Sequence, residues 1–164
     1  MNYPEEIYEV YWQGPYKPRK LSKLSTEECK KLCLYSVYGS HPIYGNNVLL
    51  YIGMTLRTVN QRLKEHSYWM DQERFGESRV YLASIGKFEN WSESWEIDLF
   101  DRPPKDVIEK VEKLLIYAHQ TFGNTANKKQ ANLAAGLRIF NTGSYGSLKP
   151  EVSALYEEIE ASHN

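Results

Sequence analysis

Residues 33–54 contain two apolar runs, CLYSVYG and VLLYIGM, on either side of a loop rich in Gly, His, Pro and Asn. Runs of this length bounded by turn formers read as strands, and so short a connection brings the second back antiparallel to the first. The chain is therefore committed to a sheet early. Such a hairpin also sets two phenols, Tyr38 and Tyr51, close to one another.

The rest of the chain alternates strands with helices. IYEVYW (7–12) is aromatic and β-branched and reads as a strand, followed by a turn-rich break at GPYKP (14–18). Ser25 with Glu28 forms a capping box that opens a short helix, and Thr58 with Gln61 forms a second, opening a helix through Arg62, Leu63, His66, Trp69 and Met70. VYLASI (80–85) and SWEIDLF (94–100) return to two-residue alternation, with Val80 and Leu82 on one side. After Pro103 and Pro104 comes the clearest helix, DVIEKVEKLLIYAHQTF. The tail, LRIFNTGSYGSLKPEVS, starts strand-like, turns tightly and leads to a short helix near Pro150, an arrangement suited to packing on the core.

Composition narrows the class. At 164 residues the chain suits one domain, and 41% apolar with 25% charged residues is ordinary for a soluble globular fold. No apolar run is long enough to span a bilayer, and the start MNYPEEIYEV is acidic where a secretory signal would be basic, which points to a cytoplasmic protein without a membrane partner. Cys29 and Cys33, four residues apart, read as buried thiols. A net charge of -1 argues against indiscriminate coating of nucleic acid, though cations gather locally at Lys17, Arg19, Lys20 and Lys23 and at Lys128 and Lys129.

Three features carry chemistry. Arg62 and His66 are four residues apart and project from one helix face, a permanent cation beside a group that titrates near neutrality, which suits a phosphate as readily as it suits a surface pair. Glu112 is flanked on its helix by Ile108, Leu115 and Ile116, so its carboxylate either reaches water at the border of the apolar stripe or is held by a cation or metal. Tyr38 and Tyr51 form the third feature.

Taken in order, the hairpin Tyr38…Tyr51-Ile52-Gly53, a helix with Arg62 and His66, and a later helix with Glu112 followed by an Asn resemble the GIY-YIG nuclease family over residues 35–127. Tyr51-Ile52-Gly53 matches its second tripeptide in full, whereas Ser36-Val37-Tyr38 stands where the family has Gly-Ile-Tyr. The family asparagine corresponds to Asn124 or Asn127. The resemblance implies an α+β fold with a small central antiparallel three-stranded sheet flanked by helices. Residues 1–34 would be an N-terminal extension, and 128–164 a C-terminal extension packed on the core.

It further implies a divalent-metal-dependent endonuclease that hydrolyses phosphodiester bonds in DNA, of restriction, phage-derived or defence type, with RNA left open as a substrate and a homodimer or two successive visits as the route to cutting both strands. Glu112 would hold one Mg²⁺ or Mn²⁺, and Arg62 a non-bridging phosphate oxygen with Lys64 as a second nucleic-acid contact. Tyr38 would be the general base in a network with Tyr51 and His66. The alternative is a catalytically inactive module of the same fold that binds nucleic acid or a protein. Tyr145 and Lys149 of the tail are further candidate nucleic-acid contacts.

Overall fold

The computed structural model describes residues 5–65, 67–88, 102–126, 128 and 136–157. Strand β1 (Glu6–Tyr16) is followed by a 3-10 turn over Pro18–Lys23 and helix α1 (Thr26–Lys31). The capping box is in place there: Ser25 Oγ accepts the Glu28 N–H at 3.2 Å and Glu28 Oε2 accepts the Ser25 N–H at 2.8 Å, satisfying two donors at the helix start. Cys29 lies on α1, but Cys33 lies beyond its end, where burial pushes its thiol up to about 12.

Strands β2 (Leu34–His41) and β3 (Gly45–Met54) form the expected antiparallel hairpin. Val37 pairs with Tyr51 but Tyr38 pairs with Leu49, so Leu50 is an extra residue on β3 and the register shifts between Val37 and Tyr38. Helix α2 (Val59–Glu65) begins where Thr58 Oγ1 accepts the Gln61 N–H at 3.4 Å. It is shorter than its apolar spacing suggests, because Ser67–Met70 forms a 3-10 turn instead of continuing the helix. Helix α3 (Gln72–Phe75), strand β4 (Arg79–Lys87) and helix α4 (Lys105–His119) follow, then strands β5 (Leu137–Gly143) and β6 (Glu151–Ser153). The tail thus enters a strand right after Pro150, and its helical turn at 154–157 comes later. The strand expected at 94–100 lies outside the described residues.

The expected three-stranded antiparallel sheet is corrected by the topology. The sheet has six strands in the order β3-β2-β4-β1-β5-β6 and is mixed, with β1 antiparallel to β4 and parallel to β5. Strands β3, β2 and β4 are its antiparallel half, but β4 is not an edge: its second side is covered by β1 over Tyr8–Tyr16. An open strand edge leaves backbone donors and acceptors unpaired, and pairing with the N-terminal strand removes that penalty. The segments read as extensions therefore supply three of the six strands.

Side-chain alternation splits the core into two layers. On one face Leu34, Ile52, Ala83 and Ile85 pack with Trp12 against Val107, Ile108, Val111, Leu114 and Leu115 of α4. On the other, Tyr35, Val37, Val80 and Leu82 pack against Val59 and Leu63 of α2 and against Leu21 and Leu32. Each such buried aliphatic side chain contributes about 1.5–3 kcal/mol. β3 ends the sheet, so α2 on one face and α4 on the other approach each other around its open side. No helix among the described residues is long and apolar enough to cross a membrane.

Candidate active site

The open side of β3 is where the conspicuous residues meet. Alternate residues of an edge strand point their backbone groups outward, here Leu50, Ile52 and Met54, and each finds a partner beyond the sheet. The Leu50 carbonyl accepts the Gly123 N–H at 2.6 Å. The Asn124 side chain takes both groups of Ile52, Oδ1 accepting its N–H at 2.9 Å and Nδ2 donating to its carbonyl at 2.8 Å. Asn124 is itself buried and held by the Thr121 hydroxyl. Its role is to fasten the segment after α4 to β3, and so to fix the direction in which α4 presents its side chains.

The Met54 backbone faces the carboxylate of Glu112 and favours its charged form. Glu112 comes from the α4 layer, yet it interacts with Arg62, Tyr51 and Tyr35 from the α2 layer, so its carboxylate reaches them around the β3 edge. Burial pushes its pKa up to about 7; the Met54 backbone and the Arg62 charge oppose this without cancelling it, and Glu109 adds to it. The carboxylate is thus half-buried with less stabilisation than its charged form requires. That is the condition in which a bound cation is most favourable.

Arg62 acts electrostatically on Glu112 and on both tyrosines. Its side chain is about one-third exposed at 34%, with Nη1 3.3 Å from Glu65, a carboxylate that Arg57 also grips at 2.7 and 2.8 Å. Arg57, and then Arg62, hold Glu65 below the usual carboxylate range.

The phenol beside Tyr51 is Tyr35. The rings stack at 6.0 Å with 28° between their planes, and Tyr51 stacks in turn on Trp69 at 5.7 Å and 16°. Tyr35 is fully buried, and its hydroxyl has no hydrogen bond; Arg62 and Tyr51 act on it electrostatically without reaching hydrogen-bond geometry. Burial raises its pKa above the ordinary phenol value, the neighbouring Tyr51 adds to this, and Arg62 opposes it. Tyr51 is raised as well, by burial first and then by Glu112. Gly53 makes the arrangement possible. It pairs with Tyr35 across the hairpin, and a Cβ there would sit 2.5 Å from the Tyr35 hydroxyl and 2.8 Å from the Tyr51 ring.

Tyr38 is not part of this cluster. It is three residues from Tyr35 and so faces the other side of the strand, where its hydroxyl accepts the Ser147 N–H at 3.1 Å and its ring meets Tyr81 edge-on at 5.2 Å. The pairing of Tyr38 with Tyr51 is therefore replaced by Tyr35 with Tyr51. Strand parity held the missed signal, since Tyr51 pairs with Val37 and shares its face with Tyr35. Lys64 also lies elsewhere, lining a groove with Asn60, Leu63 and Pro18. Lys149 is engaged by Glu157 at 2.7 Å, and Tyr145 packs on the α4 core. His66 and Asn127 lie outside the described residues.

Tyr35, Tyr51, Arg62 and Glu112 thus form one cluster of two phenols, a guanidinium and an under-compensated carboxylate. Among the described residues no group of three or more His, Cys, Asp or Glu converges, so any metal here would rest on Glu112 with water or substrate oxygens. No family model, curated protein or solved structure matches the chain.

Proposed function

We propose that the protein is a divalent-metal-dependent endonuclease of GIY-YIG type, hydrolysing phosphodiester bonds in DNA. The observation that carries this reading is the meeting of Arg62 and Glu112 with two stacked phenols, one of whose hydroxyls is buried and unbonded. With Tyr35 in the cluster, Cys33-Leu34-Tyr35 becomes the counterpart of Gly-Ile-Tyr, and Asn124 the counterpart of the family asparagine.

The donor set fits one hard cation, since a half-buried carboxylate raised to about 7 is stabilised by a divalent charge. A Mg²⁺ or Mn²⁺ bound there supplies Lewis-acid stabilisation of the departing 3′ oxygen. The remaining work belongs to the chain. Arg62 binds a non-bridging phosphate oxygen, and its planar fork stabilises the charge that grows there in the transition state. Tyr35 Oη is buried in the free protein, so substrate binding must uncover it before it accepts a hydrogen of the attacking water and orients it. With its pKa raised, Tyr35 is a neutral phenol at rest, so as its oxygen takes the proton of the attacking water its own hydroxyl proton passes to Tyr51, whose proton leaves to solvent, and Tyr35 is a phenol before and after the step. Tyr51 packs Tyr35 in place and passes the proton outward.

The test is incubation with plasmid, linear, branched and single-stranded DNA, and with RNA, in Mg²⁺ or Mn²⁺ and in EDTA. Cleavage that needs the metal is expected. No product from any substrate would leave the binding module as the better reading.

A further inference from the structure

Three of the exposed rings among the described residues, Tyr44, Tyr68 and Phe122, gather beside this site. Phe122 is pinned on the β3 edge by its neighbours, through the bonds of Gly123 and Asn124 to Leu50 and Ile52. Its ring meets His41 at 4.3 Å and Trp69 at 6.2 Å. His41 stacks on Tyr44 at 4.8 Å, and its Nδ1 accepts the backbone N–H groups of Ile43 and Tyr44, which fixes the tip of the hairpin. On the other side Trp69 stacks on Tyr51 of the candidate site and meets Tyr68 edge-on at 4.8 Å. The rings form one unbroken array from the hairpin tip to Tyr35, and Tyr44, Tyr68 and Phe122 are 66%, 51% and 47% exposed within it.

Single exposed apolar side chains are normal, but a contiguous set of aromatics held in position is a binding surface. The charges indicate what it binds. Lys128 lines a groove of about 380 Å³ with Tyr44 and Phe122, and the Arg74 guanidinium lies over Tyr68 at 5.2 Å, so a cation accompanies the rings at each end. With a net charge of -1 the chain cannot rely on phosphate neutralisation alone, as tight duplex binding usually does. Stacking needs few cations, is tolerant of sequence and requires bases whose faces are free. In a duplex those faces are covered by neighbouring pairs.

We propose that this aromatic surface binds unpaired nucleotides, making single-stranded nucleic acid, or the single-stranded part of a branched one, the substrate of the adjoining site. The inference rests on the hydrolase reading for the word substrate, but binding can be measured without it.

The experiment is fluorescence anisotropy of a labelled oligothymidine and of a blunt duplex of equal length, in EDTA, for the wild type and for Tyr44→Ala, Phe122→Leu and Phe122→Tyr. The single strand is expected to bind at least ten-fold tighter than the duplex. Tyr44→Ala and Phe122→Leu should each weaken it by roughly ten-fold, and Phe122→Tyr should restore it, because stacking needs the ring and not merely the bulk. Melting curves show that each variant is folded. Equal or tighter duplex binding, or single-strand affinity unchanged in both ring-less variants, overturns the proposal. So does a dimer in sedimentation that these variants dissociate, since the surface would then be a contact between copies. Ring-dependent binding without metal-dependent cleavage of any substrate keeps this surface and removes the hydrolase, whereas cleavage with ring-independent binding does the opposite.

Discussion

Strand β2 and helix α4 each direct one polar side chain toward the candidate site, Tyr35 and Glu112, and another toward the β5–β6 connection, Tyr38 and His119, and the two ends treat them differently. At the β5–β6 end both of these side chains are hydrogen-bonded. Tyr38 Oη accepts the Ser147 N–H, while His119 donates from Nδ1 to the Leu115 carbonyl at 2.7 Å and accepts the Lys149 N–H at Nε2, 2.8 Å away. At the site end Tyr35 has a buried hydroxyl with no partner, and Glu112 a carboxylate that burial raises to about 7. The same two elements thus hold a saturated network that stabilises the fold and an unsaturated one that costs stability. Buried polar groups are ordinarily paired, so the unsaturated end is the one waiting for something from outside the chain.

The largest test of this contrast is Glu112→Gln. Cleavage should fall to the level seen in EDTA, since an amide is a poor ligand for a hard cation. Its folded pKa of about 7 lies above the ordinary carboxylate value of 4.5, so the folded protein takes up the proton first and stability falls as pH rises through that interval. Above pH 7 the metal-free variant should therefore be more stable than wild type, by on the order of 2 kcal/mol. Denaturant titrations at pH 5 and 8 measure this, and a less stable variant at pH 8 would mark Glu112 as a structural ion-pair partner.

Next comes Arg62→Ala, which should slow single-turnover cleavage by about 10²–10³ while changing substrate affinity only a few-fold, because its main partner is the transition state. Equal losses in binding and rate would make it a simple phosphate anchor.

The two tyrosines give the sharpest pair. Tyr35→Phe should reduce cleavage by roughly 100-fold and leave the melting temperature unchanged or higher, since it deletes an unbonded hydroxyl. Tyr38→Phe should leave cleavage within a few-fold and cost about 1 kcal/mol by stranding the Ser147 N–H. Reversed outcomes would return the role of base to Tyr38.

The smallest effect belongs to His119. Burial lowers its pKa below the ordinary value of 6.5, so the unfolded chain takes the proton first. Its contribution is complete above that value and is lost as pH falls from there toward the folded pKa, because protonation of Nε2 breaks the bond from Lys149. In the Glu112→Gln background, where the opposing slope is gone, lowering the pH from 7 to 5 should reduce the unfolding midpoint. Adding His119→Gln should flatten that dependence.

The features legible in the sequence are those with a local cause. The Ser25–Glu28 capping box, the 33–54 hairpin and the α4 helix depend on residues close together in the chain, and all are present in the fold. Tyr51, Arg62 and Glu112 stand out by their order along the chain, and with Asn124, one of the two candidate asparagines, they lie at one edge. The six-stranded sheet was decided elsewhere. Alternation marks residues 6–16 as a strand but carries no information about which edge it joins, and its place between β4 and β5 depends on pairings across most of the chain. Whether Tyr35 or Tyr38 faces Tyr51 likewise depends on register and parity, which one bulge residue shifts. The residue types of this site are therefore written in the sequence, whereas their membership in a single cluster follows from strand pairing, where a slip of one position turns a side chain to the opposite face.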